Sequence, residues 1–172
     1  VIISSIDGKK WERPKIIGYK PLTNDDLVGI SYGKGKFLVV SKIGKILTSD
    51  DAQNWTVNES FYGTIMNNVK IVNNTFFILA DKGTLFTSAN GNEWSKLIIN
   101  KNAGGYFGIA FGKGIYVVVG DNGEIIASQD LKDWETLETN QIFRYNDLIF
   151  DGNLFFAIGR GGRIKVSSDS KK

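Results

Sequence analysis

The heptapeptide Ser49-Asp50-Asp51-Ala52-Gln53-Asn54-Trp55 occurs in five versions along this chain. It stands as Ser5-Ile6-Asp7-Gly8-Lys9-Lys10-Trp11 near the start. It returns as Ser88-Ala89-Asn90-Gly91-Asn92-Glu93-Trp94 and Ser128-Gln129-Asp130-Leu131-Lys132-Asp133-Trp134. The last version, Ser167-Ser168-Asp169-Ser170-Lys171-Lys172, stops one residue before its tryptophan. The tryptophans are spaced by 44, 39 and 40 residues. A period of this length marks an array of supersecondary units, each too small to bury its own apolar face.

Aligning the motifs aligns what lies between them. Segment Ser31–Trp55 matches Lys70–Trp94, Ala110–Trp134 and Ile149–Lys172 without a gap. Each repeat opens on an apolar-rich run, strand A: Leu27–Tyr32, Met66–Val72, Tyr106–Phe111 and Tyr145–Phe150. A tight turn of Gly, Asn or Lys-Gly follows, residue types that suit positive φ. Strand B then reads Phe37–Val40, Phe76–Leu79, Tyr116–Val119 and Phe155–Ile158. These are aromatic and mostly β-branched runs, expected to be buried on both faces. A second turn holds Gly44, Gly83, Gly123 and Gly162 in register, and strand C ends at the motif's serine. A short polar strand D follows each tryptophan. No apolar period of 3.6 residues is sustained anywhere, so no helix is expected. Four antiparallel strands per repeat of about 40 residues make the blade of an all-β propeller.

The motif has a local task. Asp or Asn in a turn accepts backbone N–H groups two and three residues on, and Ser bonds within the same loop. Tryptophan is expected to pack between blades with its indole N–H satisfied. A catalytic residue is needed once, whereas a scaffold residue is needed in every repeat. Ser5, Asp7, Trp11, Ser49, Asp51, Trp55, Ser88, Asn90, Trp94, Ser128, Asp130, Trp134, Ser167 and Asp169 are therefore read as structural.

These motifs resemble Asp-box repeats, the bacterial neuraminidase repeats. The Gly-x-Ile … Ser-x-Asp-Gly-x-x-Trp pattern is similar to propellers of the photosystem-II-stability-factor type. The resemblance implies a β-propeller and a bacterial secreted, surface or assembly-factor-like setting, though no compartment can be read from the residues. The copies depart from the pattern: Trp follows Ser by six residues, Asn90 replaces Asp, and Ala52, Leu131 and Ser170 replace Gly. A uniform ligand site in the boxes is thereby excluded.

One domain spanning 1–172 is expected, with partial repeats at 1–26 and 145–172 around complete ones at 27–65, 66–105 and 106–144. Four A and four B strands give four blades, but strand C occurs a fifth time at Val1–Ser5. The N-terminal strand Trp11–Ile16 is expected to complete the last blade, because ring closure between the two termini removes exposed edges. The other arrangement is a segment of a larger propeller, or a unit associating with a second copy through its terminal strands. The chain opens on Val1 without a signal peptide, as a mature or trimmed domain would.

Composition narrows the chemistry. The chain has neither cysteine nor histidine, which removes disulfides, thiolate sites and the commonest catalytic base and transition-metal ligand. The net charge of +3 comes from 21 basic and 18 acidic residues spread along the chain, a solvated surface and not a nucleic-acid footprint. No apolar run reaches the ~20 residues of a membrane-crossing helix. The resemblance raises a sialidase, a remote alternative needing three converging arginines, a tyrosine–glutamate pair and an acid/base. The arginines are Arg13, Arg144, Arg160 and Arg163, three of them in or leading into the last blade, and residues of one blade do not converge on a propeller axis. Asp25-Asp26 and Asp50-Asp51 read as solvated pairs. The turns lack the ligand density of a calcium cage, and Gly159–Gly162 precedes no helix that could cradle phosphate.

The remaining candidates lie on strand A and the D-to-A connections. Tyr62, Asn67, Asn68, Tyr106, Phe107, Arg144, Tyr145, Asn146 and Asp147 combine aromatic faces with amides and charge, a combination suited to a sugar or a peptide. The expectation is a non-catalytic binding or scaffold propeller, with no cofactor or metal, engaging protein or glycan. The alternative is a structural or self-assembling unit of a larger propeller.

Overall fold

The computed structural model describes residues 1–19, 25–137 and 142–168. Its strands run in the order β1 (Lys15–Ile17), β2 (Leu27–Gly33), β3 (Lys36–Ser41), β4 (Lys45–Ser49), β5 (Asn54–Ser60), β6 (Met66–Val72), β7 (Thr75–Ala80) and β8 (Thr84–Ser88). They continue as β9 (Ser95–Ile98), β10 (Tyr106–Gly112), β11 (Ile115–Gly120), β12 (Ile125–Ser128), β13 (Glu135–Leu137), β14 (Tyr145–Phe150), β15 (Phe155–Gly159) and β16 (Arg163–Ser167). The helical content among the described residues is one 3₁₀ turn at Asp121–Gly123. Each repeat forms its own sheet: β1-β5-β4-β3-β2, then β6-β7-β8-β9, β10-β11-β12-β13 and β14-β15-β16. The expected strands A, B and C of the four repeats fall on these elements within a residue or two at each end. The N-terminal strand expected at Trp11–Ile16 is found at Lys15–Ile17, and the fifth strand C expected at Val1–Ser5 forms only the isolated Ser4–Glu12 bridge.

The chain divides into two compact units, Val1–Ile78 with Thr87–Ser95, and Leu79–Phe86 with Lys96–Lys172. Cross-strand partners share a face, so the registers define the faces of each sheet. In the second unit, one face of the third sheet carries Ala110, Val117, Val119, Ile125 and Ala127. It packs on Leu148, Phe155 and Ala157 of the fourth sheet, with Tyr145, in one apolar cluster. In the first unit, Val39 and Leu47 pack with Trp55 and with Ile2 of the N-terminal segment.

Glycine sets how closely strand A of one sheet approaches the next. A Cβ on Gly29 would lie 2.7 Å from the Val69 nitrogen and 2.9 Å from Asn68 Oδ1. A Cβ on Gly108 would lie 2.6 Å from the Leu148 nitrogen, against the Asp147 backbone. Gly33 and Gly112 repeat the device four residues on, under the side chains of Ile71 and Phe150. The equivalent positions in β6 and the fourth repeat are Asn68 and Val72, and Asp147 and Asp151. The sheets thus come in pairs, a glycine-bearing A strand against a side-chain-bearing one. A lysine in the following turn adds to each pair: Lys34 Nζ donates to the Ala89 carbonyl and Lys113 Nζ to that of Ser168, both at 2.7 Å.

The Ser-x-Asp turns form as expected. Asp51 Oδ1 accepts the N–H groups of Gln53 (2.8 Å) and Asn54 (2.7 Å) and the Ser49 hydroxyl (3.0 Å). Asp7, Asn90 and Asp130 do the same in their turns. Those N–H donors hold the carboxyls of Asp7, Asp51 and Asp130 below the ordinary aspartate range. The fourth residue of the turn takes the left-handed conformation whatever its identity: φ is +71° at Gly8 and +76° at Gly91, but also +59° at Ala52 and +65° at Leu131. Asp169 of the last copy lies outside the described residues.

The tryptophans are less uniform than expected. The Trp55 indole N–H donates to the Ala52 carbonyl at 3.0 Å and that of Trp134 to Leu131 at 3.3 Å, both within their own turns. Trp94 Nε1 is buried without a hydrogen-bond partner. Trp11 is 57 % exposed, because its turn hangs on the isolated Ser4–Glu12 bridge instead of a full sheet.

Three further expectations are corrected. The N-terminal strand does not complete the last sheet. β1 pairs parallel with β5, Lys15 opposite Asn54 and Ile17 opposite Thr56. β5 runs for seven residues, and its outer edge is what the extra strand covers. Second, β15 is not buried on both faces: Ile158 is 48 % exposed where Val40 and Val119 are fully buried. Third, Asp25-Asp26 is not a solvated pair. Asp25 Oδ2 lies 2.8 Å from Lys45 Nζ with both side chains buried, and the Tyr19 ring covers the ammonium at 4.8 Å. Burial raises the Asp25 carboxyl, but the hydrogen bonds from Lys45 and Ser41 outweigh it and leave it lowered. Tyr19 is pushed up to about 12, by burial first and then by the Asp25 charge.

Lys45→Met, which leaves a buried carboxylate unpaired, is expected to lower unfolding free energy by about 3 kcal/mol in urea titrations. Because the Asp25 value is depressed in the fold, its stabilisation is complete above the ordinary aspartate range and is lost as pH falls below it. The Lys45→Met variant should therefore show a flatter loss of stability on acidification than the parent chain. Leu131→Gly removes a left-handed conformation that costs an L-residue about 1–2 kcal/mol, and is expected to raise stability by about 0.5–1 kcal/mol.

Candidate binding surface at the D-to-A connections

The chain reaches each strand A through a connection that is pinned by backbone bonds to a B–C turn. In the first unit, Phe61 N–H donates to the Gly44 carbonyl (2.7 Å) and Met66 N–H to that of Lys42 (3.2 Å). In the second, Gly83 N–H donates to the Gly104 carbonyl and Asp121 N–H to that of Gly105, both at 2.9 Å. Asp121 Oδ2 accepts Gly105 N–H and Glu124 Oε1 accepts the Asn100 amide. Arg160 N–H donates to the Arg144 carbonyl at 3.0 Å. The first residue after the turn glycine differs in every sheet: Lys45, Glu124 and Arg163 each reach a connection through a different contact, whereas the Thr84 hydroxyl donates to the Lys82 carbonyl of its own turn.

The nine candidate side chains separate by unit. In the first, Tyr62 is 71 % exposed at the tip of its connection. Asn67 and Asn68 are half-buried on β6, where Asn68 Oδ1 accepts Val69 N–H at 2.9 Å against Gly29. In the second unit the structure brings several together. The Arg144 guanidinium lies 4.5 Å from the centre of the Phe107 ring, and its Nε donates to Asn146 Oδ1 at 2.9 Å. Asp147, next on β14, accepts Leu148 N–H at 2.8 Å. The Arg163 guanidinium covers Phe143 at 4.2 Å, and Phe143 meets Tyr145 edge-on at 5.2 Å.

Tyr106 and Tyr145 are fully buried and offer no ring face to solvent. Burial raises both phenols. The Glu124 carboxylate pushes Tyr106 further up, whereas the Arg163 charge opposes the rise at Tyr145. The Tyr145 hydroxyl has no hydrogen-bond partner.

Arg163 and Phe143 were not anticipated as a second stacked pair. Their signal was present in the sequence, since Arg163 occupies the position that anchors the connection in the first and third sheets. Each guanidinium thus lies on an aromatic face, Arg144 in the connection before β14 and Arg163 at the start of β16. Among the described residues no group of three or more Asp or Glu is gathered to hold a metal ion.

The overall arrangement matches solved structures. The computationally designed Ika4 protein superposes with a TM-score of 0.68 at 17 % identity, over 91 % of this chain and 97 % of that one. The fold is a β-propeller. YCF48 bound to D1 peptide superposes at 0.70 with 15 % identity, over 92 % of this chain. Catalytically inactive virginiamycin B lyase from Staphylococcus aureus with quinupristin superposes at 0.64 with 15 % identity, over 83 %. The chain spans 54 % of that YCF48 chain and 55 % of the lyase. By sequence, no family model and no curated protein matches.

A buried hydroxyl without a partner carries its full desolvation cost. Tyr145→Phe is therefore expected to leave stability unchanged or raise it by up to about 1 kcal/mol in thermal unfolding, with no change in the surface beside it.

Proposed function

We propose that this propeller is a non-catalytic binding module that captures a peptide or protein carrying exposed carboxylates. The stacked Arg144 guanidinium, held between the Phe107 ring and the Asn146 amide, is the observation that carries this reading. A planar guanidinium whose rotamer is already fixed loses little entropy when it binds a carboxylate in a bidentate fork. Phe107, Asn146 and Asp147 set the polar and apolar pattern around it, Tyr106 and Tyr145 back the surface from the core, and Arg163 adds charge. Tyr62, Asn67 and Asn68 form a separate, smaller candidate surface in the first unit.

The comparison with YCF48 supports the same class of partner, since that propeller is seen with a bound peptide. The lyase does not favour an enzyme. Its inactive form carries alanine in place of a histidine, and this chain has no histidine. On this reading the Ser-x-Asp turns are Asp-box repeats retained as scaffold, one per sheet with the Ser5–Trp11 copy in excess, and with no part in ligand contact.

The experiment is an array of acidic peptides and a glycan array, each probed with the parent chain and two variants. Arg144→Ala and Phe107→Ala are expected to weaken peptide binding about tenfold or more, as loss of a charge-assisted contact does. The parent's affinity should fall as salt screens the arginines. Binding confined to the glycan array, or peptide binding indifferent to both substitutions, would overturn the assignment.

A further inference from the structure

The fourth sheet has two faces of different fate. One face, with Leu148, Phe150, Phe155 and Ala157, packs on the third sheet. The other carries Ile149, Phe156 and Val166 in one cross-strand row and Ile158 and Ile164 in the next. Ile164 is 69 % exposed, whereas its equivalents Ile46 and Ile125 are 0 % and 8 % exposed. Ile149, Ile158 and Val166 are exposed as well. Five apolar residues in two adjacent rows form a contiguous patch, and such patches mark interaction surfaces.

The chain itself contains the template for what such a face receives. In the second unit, the same rows of the third sheet, Ala110 with Val117 and Ala127, and Val119 with Ile125, are covered by Leu148, Phe150, Phe155 and Ala157. The register positions of those four covering residues belong in the first sheet to Ile30, Tyr32, Phe37 and Val39. Ile30 is 61 % exposed and Tyr32 is also exposed. Beside them runs an open groove of about 360 Å³, lined by Val1–Ile3 on one side and Leu27–Ile30 on the other. Val1–Ile3 lies along this face with only Ile2 buried, at the strand C position that Ile125 takes on the fourth sheet.

We propose that the exposed face of β14–β16 docks on the β2–β4 face of a second copy of this chain, head to tail, in the orientation of the internal contact between the third and fourth sheets, with Asp147 where Gly108 stands and the two sheets correspondingly further apart. β16 enters where Val1–Ile3 lies and displaces it. The contact is heterologous, so each copy keeps one free face of each kind until the assembly closes or grows. Three strands about 4.8 Å apart and five residues long give a small patch, well below the ~800 Å² per partner of a standard interface. The association is therefore weak and rises with protein concentration. It uses neither Arg144 nor Phe107; of the peptide surface it shares Asp147, which stands in the row of Ile158 and Ile164.

Sedimentation velocity from about 5 to about 500 μM, the range in which a small apolar interface acts, tests this with the 172-residue chain. The parent is expected to associate with rising concentration. Ile164→Asp on one face and Ile30→Asp on the other are expected to be monomeric alone, with circular dichroism unchanged because both side chains are exposed. Mixed in equal amounts they should form a dimer and stop there, since each supplies the face the other lacks. Removing Val1–Ile3 should tighten association several-fold. A parent monomeric throughout, variants that associate like the parent, or a mixture that stays monomeric would each overturn the proposal. So would a monomeric parent whose melting point falls on Ile164→Asp, which would place the cover of this face within the chain.

Discussion

Two A strands in this protein touch the backbone of a neighbouring sheet, and they can do so because positions 29 and 108 have no side chain. The rest of the arrangement follows from that approach. With β2 close to β6 and β10 close to β14, Asn68 and Asp147 are turned back onto their own following N–H groups. The aromatic and aliphatic residues of the B strands then meet across the gap at core packing distance. A methyl group at either glycine would press on backbone atoms, which cannot swing aside as a side chain can.

The polar groups divide the remaining work by position. At the C–D ends, exposed Asp and Asn side chains close turns with backbone N–H groups, and solvent screens whatever charge they carry. At the opposite ends the anchors are individual: a buried Lys45–Asp25 pair in one sheet, Glu124 with Asn100 in another, Arg163 on Phe143 in a third. Repetition at one end and variety at the other suits the proposed binding role. The uniform turns hold each hairpin, and the varied anchors shape the connections differently, so that one of them presents Arg144 on Phe107.

Most of the strand architecture was legible because each repeat is a run of apolar residues cut by glycine or Asn turns, and the heptapeptide fixes their alignment. The failures have specific causes. Asp25-Asp26 reads as solvated because its partner, Lys45, is twenty residues away and on the far side of a turn. The fate of the N-terminal strand is not legible because the edge of β5 and the last sheet both offer it a partner, and no local pattern ranks the two. Tyr106 and Tyr145 begin strands exactly where a connection ends, and sequence alone does not tell whether such a ring turns inward or outward. The paired character of the sheets was available in the alternation of Gly29, Asn68, Gly108 and Asp147, but only for a reader who compared alternate repeats instead of adjacent ones. The Arg144–Phe107 stack joins a connection to a strand 37 residues earlier in the chain, and no local pattern announces it.

The parallel β1–β5 pair bears on how the chain acquires its shape. Every other strand pairing described in the first, third and fourth sheets joins neighbours across a turn or short connection, which closes quickly at small entropic cost. β1 must instead wait for the whole of β2 to β5 to form before its partner exists, and then close a loop across the entire sheet. On topology alone the N-terminal segment closes the costliest loop of this sheet. Its release would bare the β5 edge and the face beneath Ile2 and leave the hairpins behind them intact, a local opening distinct from global unfolding.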